Sequence, residues 1–175
     1  MPAPLASPEG DAFDWRVSIA EVEADGPFSV FDGYDRALVL LEGAGMDLRF
    51  TTTGTTVPLR ADSRLARFAG EAPIEATLVD GPTTDFNLIW RREAFEVIAL
   101  ECGAGSARPV GGGAGEVVVA HVVQGRLALA HGRVAIAGDT VVGEAGEPLN
   151  LQVTGAAVVF VVTPIRSSRS SGSDR

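Results

Sequence analysis

The sequence predicts an all-β fold in which one strand pattern occurs twice, with few helices. Three observations predict it. Twenty-one glycines and ten prolines are spread along the 175 residues, punctuation that suits many short strands and tight turns. Between them apolar and polar residues alternate, the period of a strand. The pattern also repeats: Gly43 matches Gly125 and Gly70 matches Gly146, each pair closing equivalent segments in the two halves. A β pattern repeated at this scale predicts two barrels or jelly rolls.

The elements follow in order. Residues 1–11 (MPAPLASPEGD) have no apolar period and are expected to be disordered. FDWRVSIAEVE then alternates Trp15, Val17 and Ile19 on one face with Arg16, Ser18 and Ala20 on the other. Gly26-Pro27 and Asp32-Gly33 punctuate two turns. RALVLLEGAGMDLRF reads as strand, turn, strand, and TTTGTTVPLR, SRLARF and IEATLVDG as further short strands. In DFNLIWRR, Phe86, Leu88 and Trp90 form a core face opposite Asp85, Asn87, Ile89 and Arg91. EAFEVIALECG is taken as the last strand of the first repeat, over about 12–102. After a Gly-rich linker the second repeat runs over about 115–166, and residues 167–175 form a disordered tail.

Composition excludes several function classes. A formal charge of −9 argues against nucleic acid, whose phosphates require a basic face. The single cysteine, Cys102, permits no internal disulfide, and a reducing cytoplasm is the plain inference. The N-terminus lacks the charged start and apolar run of a signal peptide. No apolar stretch approaches the roughly 18 residues of a membrane span.

Two motifs keep their spacing and have lost their chemistry. Gly43 closes GPFSVFDGYDRALVLLEG, with the spacing of the first metal motif of cupins: His-x-His, three or four residues, Glu, six residues, Gly. Counting back, Arg36 stands in the Glu slot, and Phe31 and Ser29 in the His slots. From Gly125 the Glu slot falls on Val118 and the His slots on glycines. The second cupin motif reappears in GDTVVGEAGEPLNLQV with Glu144, Leu149 and Val153 where Pro, His and Asn are expected, and in a worn form around Gly70. The expectation is a bicupin, two cupin-type β-barrels packed together over residues 12–166, without a metal and with no cofactor. His121 and His131, on opposite faces of a hairpin around Gln124-Gly125, lack a third ligand and make a poor metal site.

The stretch WRVSIAEVEADGPFSVFDGYDRALVLLEG, followed by FAGEAP and LVDGPTTDFNLIWRR, closely resembles the HutD/Ves family of degenerate bicupins. The resemblance spans roughly residues 13–165, and its specific part lies between Trp15 and Arg92. It implies an association with histidine utilisation and a role in sensing or buffering N-formylglutamate, a late intermediate of that pathway. It attaches no established reaction, and a second branch of the family is known only as stress-associated. The family's opening strand, with a Trp-Lys-Asn-Gly-Gly-Gly-like stretch, has no counterpart ahead of Trp15.

Six residues are candidates for ligand binding: Arg16, Ser18, Ser29, Phe31, Asp85 and Asn87. Arg16, mid-strand opposite Trp15, either holds a ligand carboxylate through a two-bonded fork or forms an internal ion pair with Glu42 or Asp85. Asn87 offers a donor and an acceptor to a formamide group, and Asp85 shares its strand face. Ser29 and Phe31 are carried by a turn to the barrel mouth. Trp15 and Phe28 are expected to support the pocket, and Glu42 to orient an arginine. Arg36, in the vacated Glu slot, either makes with Ser29 and Phe31 a carboxylate site where a cation site once stood or caps a turn at the surface near Asp32 and Asp35, the second reading being preferred, and Arg91 and Arg92 read as solvated or salt-bridged. Cys102 has no activating partner, and no catalytic residue is assigned.

The reading is a metal-free cytoplasmic protein that binds a small anionic metabolite, possible homodimerisation aside, with no nucleic-acid or membrane partner. Its rival is a metal-independent cupin enzyme of isomerase or epimerase type acting on a small acid, for which Asp85 with Glu42 is the one plausible acid–base pair. A purely structural partner protein is the third alternative, to be recognised by an exposed apolar patch.

Overall fold

Alternating strands joined by glycine turns leave little chain for helix, and the described residues form sixteen strands with one short 3-10 turn, Ala130–Gly132. The computed structural model describes residues 12–165. The expectations for residues 1–11 and 167–175 lie outside that range. The chain divides into two units, Met1–Glu93 and Ala94–Arg175.

The first unit contains two four-stranded antiparallel sheets. One has the order β1 (Trp15–Val22), β8 (Thr83–Arg91), β3 (Tyr34–Glu42), β6 (Leu65–Ala69). The other has the order β2 (Gly26–Pro27), β7 (Ile74–Leu78), β4 (Met46–Phe50), β5 (Thr56–Leu59). Residues opposite one another in register share a sheet face. Ser18 and Leu38 both lie opposite Asn87, while Arg36 lies opposite Ile89 and Phe68. The face of Arg16, Ser18, Arg36, Leu38, Asp85 and Asn87 is therefore one continuous surface. Its apolar part, Leu38, Leu40 and Ala66, packs with Met46, Leu48, Leu59, Ile74 and Ala76 of the second sheet. Each fully buried Leu or Ile of this interior stabilises the unit by roughly 1.5–3 kcal/mol.

Gly43 ends β3 with φ +96°, and a Cβ there would stand 2.5 Å from the Pro82 carbonyl oxygen. Only glycine allows that close approach. Phe86, Leu88 and Trp90 are buried, as the alternation predicts. On β1 the expectation is met only in part. Trp15 and Val17 are half-buried, but Ile19 is 51% exposed.

The second unit also has two four-stranded sheets. The first is β14 (Thr140–Val142), β11 (Val117–Gln124), β16 (Ala156–Pro164), β9 (Phe95–Cys102). The second is β10 (Ala107–Val110), β15 (Leu149–Val153), β12 (Arg126–Ala128), β13 (Val134–Ile136). Its interior is apolar and includes Val118, Ala120, Val122, Leu127, Leu151 and Val159.

Two corrections to the sequence reading follow. EAFEVIALECG, assigned to the first repeat, forms β9, which pairs with β16 from Phe95 to Cys102. Its predecessor β8 already has β1 and β3 on its two sides, so it offers no edge to a following strand. No hairpin forms around Gln124-Gly125 either, because β11 and β12 lie in different sheets. His121 is buried in β11 with Nδ1 2.9 Å from the Thr140 hydroxyl, whereas His131 is exposed in the 3-10 turn.

Candidate functional site

The loop between β2 and β3 is fixed by backbone hydrogen bonds before any side chain matters. Phe28 N–H donates to the Ile74 carbonyl at 2.9 Å, and Phe31 N–H to the Gly70 carbonyl at 2.9 Å. Gly70 N–H in turn donates to the Tyr34 carbonyl at 2.7 Å. A Cβ on Gly70 would lie 2.5 Å from the Phe31 carbonyl oxygen, so the clamp depends on glycine at this position. It sets Phe28, Ser29 and Phe31 beside the polar part of the interior face.

Arg36 is the centre of the site, and here the structure corrects the sequence reading. It does not cap a turn near Asp32 and Asp35, because β3 starts at Tyr34 and turns Arg36 inward, where it is 5% exposed. Nη1 donates to the Ser29 carbonyl at 3.0 Å and Nη2 to Asn87 Oδ1 at 2.7 Å. The guanidinium carbon lies 5.2–5.3 Å from the ring centroids of Phe28, Phe31 and Phe68, within cation–π range. Burial and the nearby charge of Arg16 lower its pKa to about 10, with Asp85 acting in the opposite sense. It therefore remains a cation at neutral pH.

Arg16 stands beside it. Its guanidinium carbon is 4.9 Å from the Phe13 ring centroid and 5.3 Å from that of Phe31, so Phe31 is shared by the two arginines. The internal ion pair with Glu42 or Asp85, one of the two readings of Arg16, is not formed. Among the described residues neither Arg16 nor Arg36 makes a salt bridge, and each has a buried Nε without a hydrogen-bond partner.

Asp85 completes the group. It is 1% exposed, and both carboxylate oxygens are buried without a hydrogen-bond partner. Burial raises its pKa from 3.8 to about 7, against the opposing pull of Thr83 and of the Arg36 charge. A pocket of about 220 Å³ opens here, lined among others by Val22, Phe28, Ser29, Arg36, Asp85 and Asn87.

The structure thus gathers Ser29, Asp85 and Asn87 at one pocket. Arg16, Ser18 and Phe31 lie on the same side, next to the lining. Ser29 is exposed and meets Arg36 through its backbone carbonyl, not its hydroxyl. Phe28 lines the pocket, whereas Trp15 belongs to the opposite face of β1, and Glu42 is exposed at the end of β3 outside the lining. Arg91 pairs with Asp14, and Arg92 with Asp35 and Glu71. Arg36 is the residue that sequence reasoning undervalued, and its place in the vacated Glu slot was the available signal. Among the described residues no group of three or more His, Cys, Asp or Glu is placed to hold a metal ion, and no helix is long and apolar enough to cross a membrane.

Known proteins with similar sequences and folds agree with this architecture. A protein from the hutC 3' region of Pseudomonas putida is 38% identical over 85 residues, covering 49% of this chain and 44% of its own length. Protein Ves of Citrobacter koseri is 37% identical over 82 residues, covering 46% and 42%. These matches span less than half the length of either relative. Among solved structures, HutD from Pseudomonas fluorescens SBW25, from a formate condition, is 26% identical with a TM-score of 0.73, covering 88% of this chain and 81% of that one. A conserved protein of unknown function from Pseudomonas aeruginosa PAO1 is 31% identical with a TM-score of 0.72, covering 93% and 87%. A cupin 2 barrel protein from Leptotrichia buccalis, at 10% identity and a TM-score of 0.54 over 89% and 86% of the two chains, shares the fold. The HutD family model matches residues 3–161. With an all-β cupin-type architecture and that match over nearly its whole length, the chain belongs to the HutD family, which is associated with the hut (histidine-utilisation) locus.

Proposed function

We propose that the first unit binds a small carboxylate-bearing metabolite of histidine breakdown, with N-formylglutamate as the ligand favoured by the family association. The observation that carries this reading is the Arg36 guanidinium: buried, oriented by Asn87 and Ser29, and neutralised by no salt bridge among the described residues. An isolated internal charge is costly, and a ligand carboxylate relieves that cost through charge-assisted hydrogen bonds. Arg16 adds a second positive charge on the same side. The pocket, about 220 Å³, is below the roughly 300–1,000 Å³ of drug-sized sites and suits a metabolite. One or two charge-assisted contacts support roughly micromolar to millimolar affinity, the range of a cytoplasmic sensor or buffer.

An acid–base pair acting across the cavity would require a second titrating group, and Glu42 does not line the pocket.

A thermal-shift titration with N-formylglutamate, glutamate and formate tests the proposal. Wild type should show a concentration-dependent rise in melting temperature. Arg36→Met and Arg16→Ala should lose the rise, and Arg16→Lys should restore part of it, since lysine lacks the planar fork. Absence of any shift at millimolar ligand refutes the reading. An Arg16→Ala protein that is unfolded, or that binds as tightly as wild type, removes Arg16 from the site.

A further inference from the structure

Asp85 is buried at the pocket with both carboxylate oxygens unpartnered, and the Thr83 hydroxyl of its own strand, also unpartnered, is a donor near enough to oppose part of the rise in its pKa. It lies opposite Ala20 on β1 and Leu40 on β3. The interior residues of the facing sheet, among them Met46, Leu48 and Ala76, are apolar. The loop before β2 contributes Asp25, which is exposed and accepts from the Leu78 N–H at 2.8 Å. The groups that act on Asp85 are the Thr83 hydroxyl of its own strand and the Arg36 charge from β3, and Arg16 from β1 acts in turn on Arg36.

A carboxylate entering this pocket and an ionised Asp85 would be two anions competing for one buried cation. At short range and low dielectric their repulsion is strong. Neutralising Asp85 removes it and leaves the Arg36 charge to the ligand. We propose that the pocket takes up its carboxylate together with one proton from solvent, which resides on Asp85. This rests on the reading of the pocket as a carboxylate site, and makes Asp85 a positioning residue that sets the pH dependence of binding. Because burial holds its carboxyl up at about 7, the free pocket is about half protonated at pH 7, and a further rise of about two units or more on binding draws in about half a proton there and most of one near pH 8.

The test is calorimetry of the full chain with N-formylglutamate, and with acetate as a one-carboxylate probe, between about pH 6 and 8.5, where both probes stay ionised. Two buffers of different ionisation enthalpy report the protons taken up. Wild type should bind with nearly constant affinity and little proton uptake at pH 6, and then more weakly as pH rises above about 7, approaching tenfold per pH unit, with uptake rising toward one proton per ligand near pH 8. Asp85→Asn should bind with nearly constant affinity, more tightly than wild type at pH 8, and without uptake. Binding that is independent of pH and draws in no proton overturns the coupling and leaves the carboxylate site standing. Failure to bind either probe at pH 6 overturns both. An Asp85→Asn protein that keeps the wild-type pH dependence places the proton elsewhere and also refutes the inference. The wild-type buffer comparison decides the matter even where the variant does not fold.

Discussion

Replacing Asp85 by Asn should change the pH dependence of stability of the free protein in a calculable way. Asp85 titrates at 3.8 when unperturbed and at about 7 in the fold. The folded state therefore binds more protons than the unfolded chain between those values, and stability must fall as pH rises through that window. At about 1.36 kcal/mol for each pH unit separating the two values, the full effect is roughly 4 kcal/mol. Between pH 5 and pH 8 the linkage relation assigns about 2.6 kcal/mol of it, and water entering the pocket reduces the figure. His121 works in the opposite direction: burial lowers its pKa below 6.5, so stability is lost as pH falls through that range. That contribution is common to both proteins and cancels in their difference. Urea unfolding of wild type and Asp85→Asn at several pH values is the assay. The variant should gain stability over wild type as pH rises from 5 to 8, by up to about 2.6 kcal/mol. Equal slopes for the two proteins, or a variant that loses ground toward pH 8, would refute the account of Asp85.

Four further outcomes are expected. Arg36→Met removes the hydrogen bonds to Ser29 and Asn87 and the counter-charge of Asp85, so it should destabilise by about 2–4 kcal/mol at pH 8 and by less at pH 5, as read by urea unfolding. Gly70→Ala drives a methyl to 2.5 Å from the Phe31 carbonyl; a loss of about 1–3 kcal/mol, with weakened ligand shifts, is expected by thermal melting. Elemental analysis of the purified protein should find no stoichiometric zinc, iron, manganese or nickel, and about one equivalent removable only with loss of structure would contradict this. Calorimetry should give one ligand molecule per chain, because Arg36 is the one buried arginine among the described residues.

Much of the fold was legible because a strand shows its faces in sequence. The alternation in DFNLIWRR separates Asp85 and Asn87 from Phe86, Leu88 and Trp90, and the structure keeps that separation. Partnership was not legible. Nothing in EAFEVIALECG tells that β8 is already flanked on both sides and that β9 must pair with a strand more than 50 residues later. Arg36 was misjudged for a related reason. Three acidic or glycine residues precede it within four positions, a context that locally reads as a turn, whereas its burial follows from pairing with Phe68 and Ile89 on two other strands. Side-chain and backbone roles were also indistinguishable: Ser29 occupies its predicted place, but contributes a carbonyl that any residue could supply.

The slots of the lost metal motif explain why the site has its present polarity. A cupin metal site collects neutral or anionic donors around a cation. In the first unit the Glu slot holds Arg36, and the two His slots hold Ser29, whose carbonyl accepts from Arg36 at 3.0 Å, and Phe31, whose ring lies 5.3 Å from its guanidinium carbon. The three slot residues still converge, with the cation now fixed to the protein. A metal ion entering there would meet the Arg36 charge, with Asp85 as a lone carboxylate and no thiolate or imidazole in the lining, whereas an anion would meet a cation already oriented. In the second unit the corresponding slots hold Gly111, Gly113 and a fully buried Val118, and the interior closes as apolar core. The two repeats therefore fill the motif's slots differently: in the first unit an oriented cation stands beside a pocket, and in the second apolar packing fills the slots while that unit's own pocket lies elsewhere, along residues 107–109, 128–130 and 150–152. That asymmetry is the reason to look for ligand recognition in the first unit.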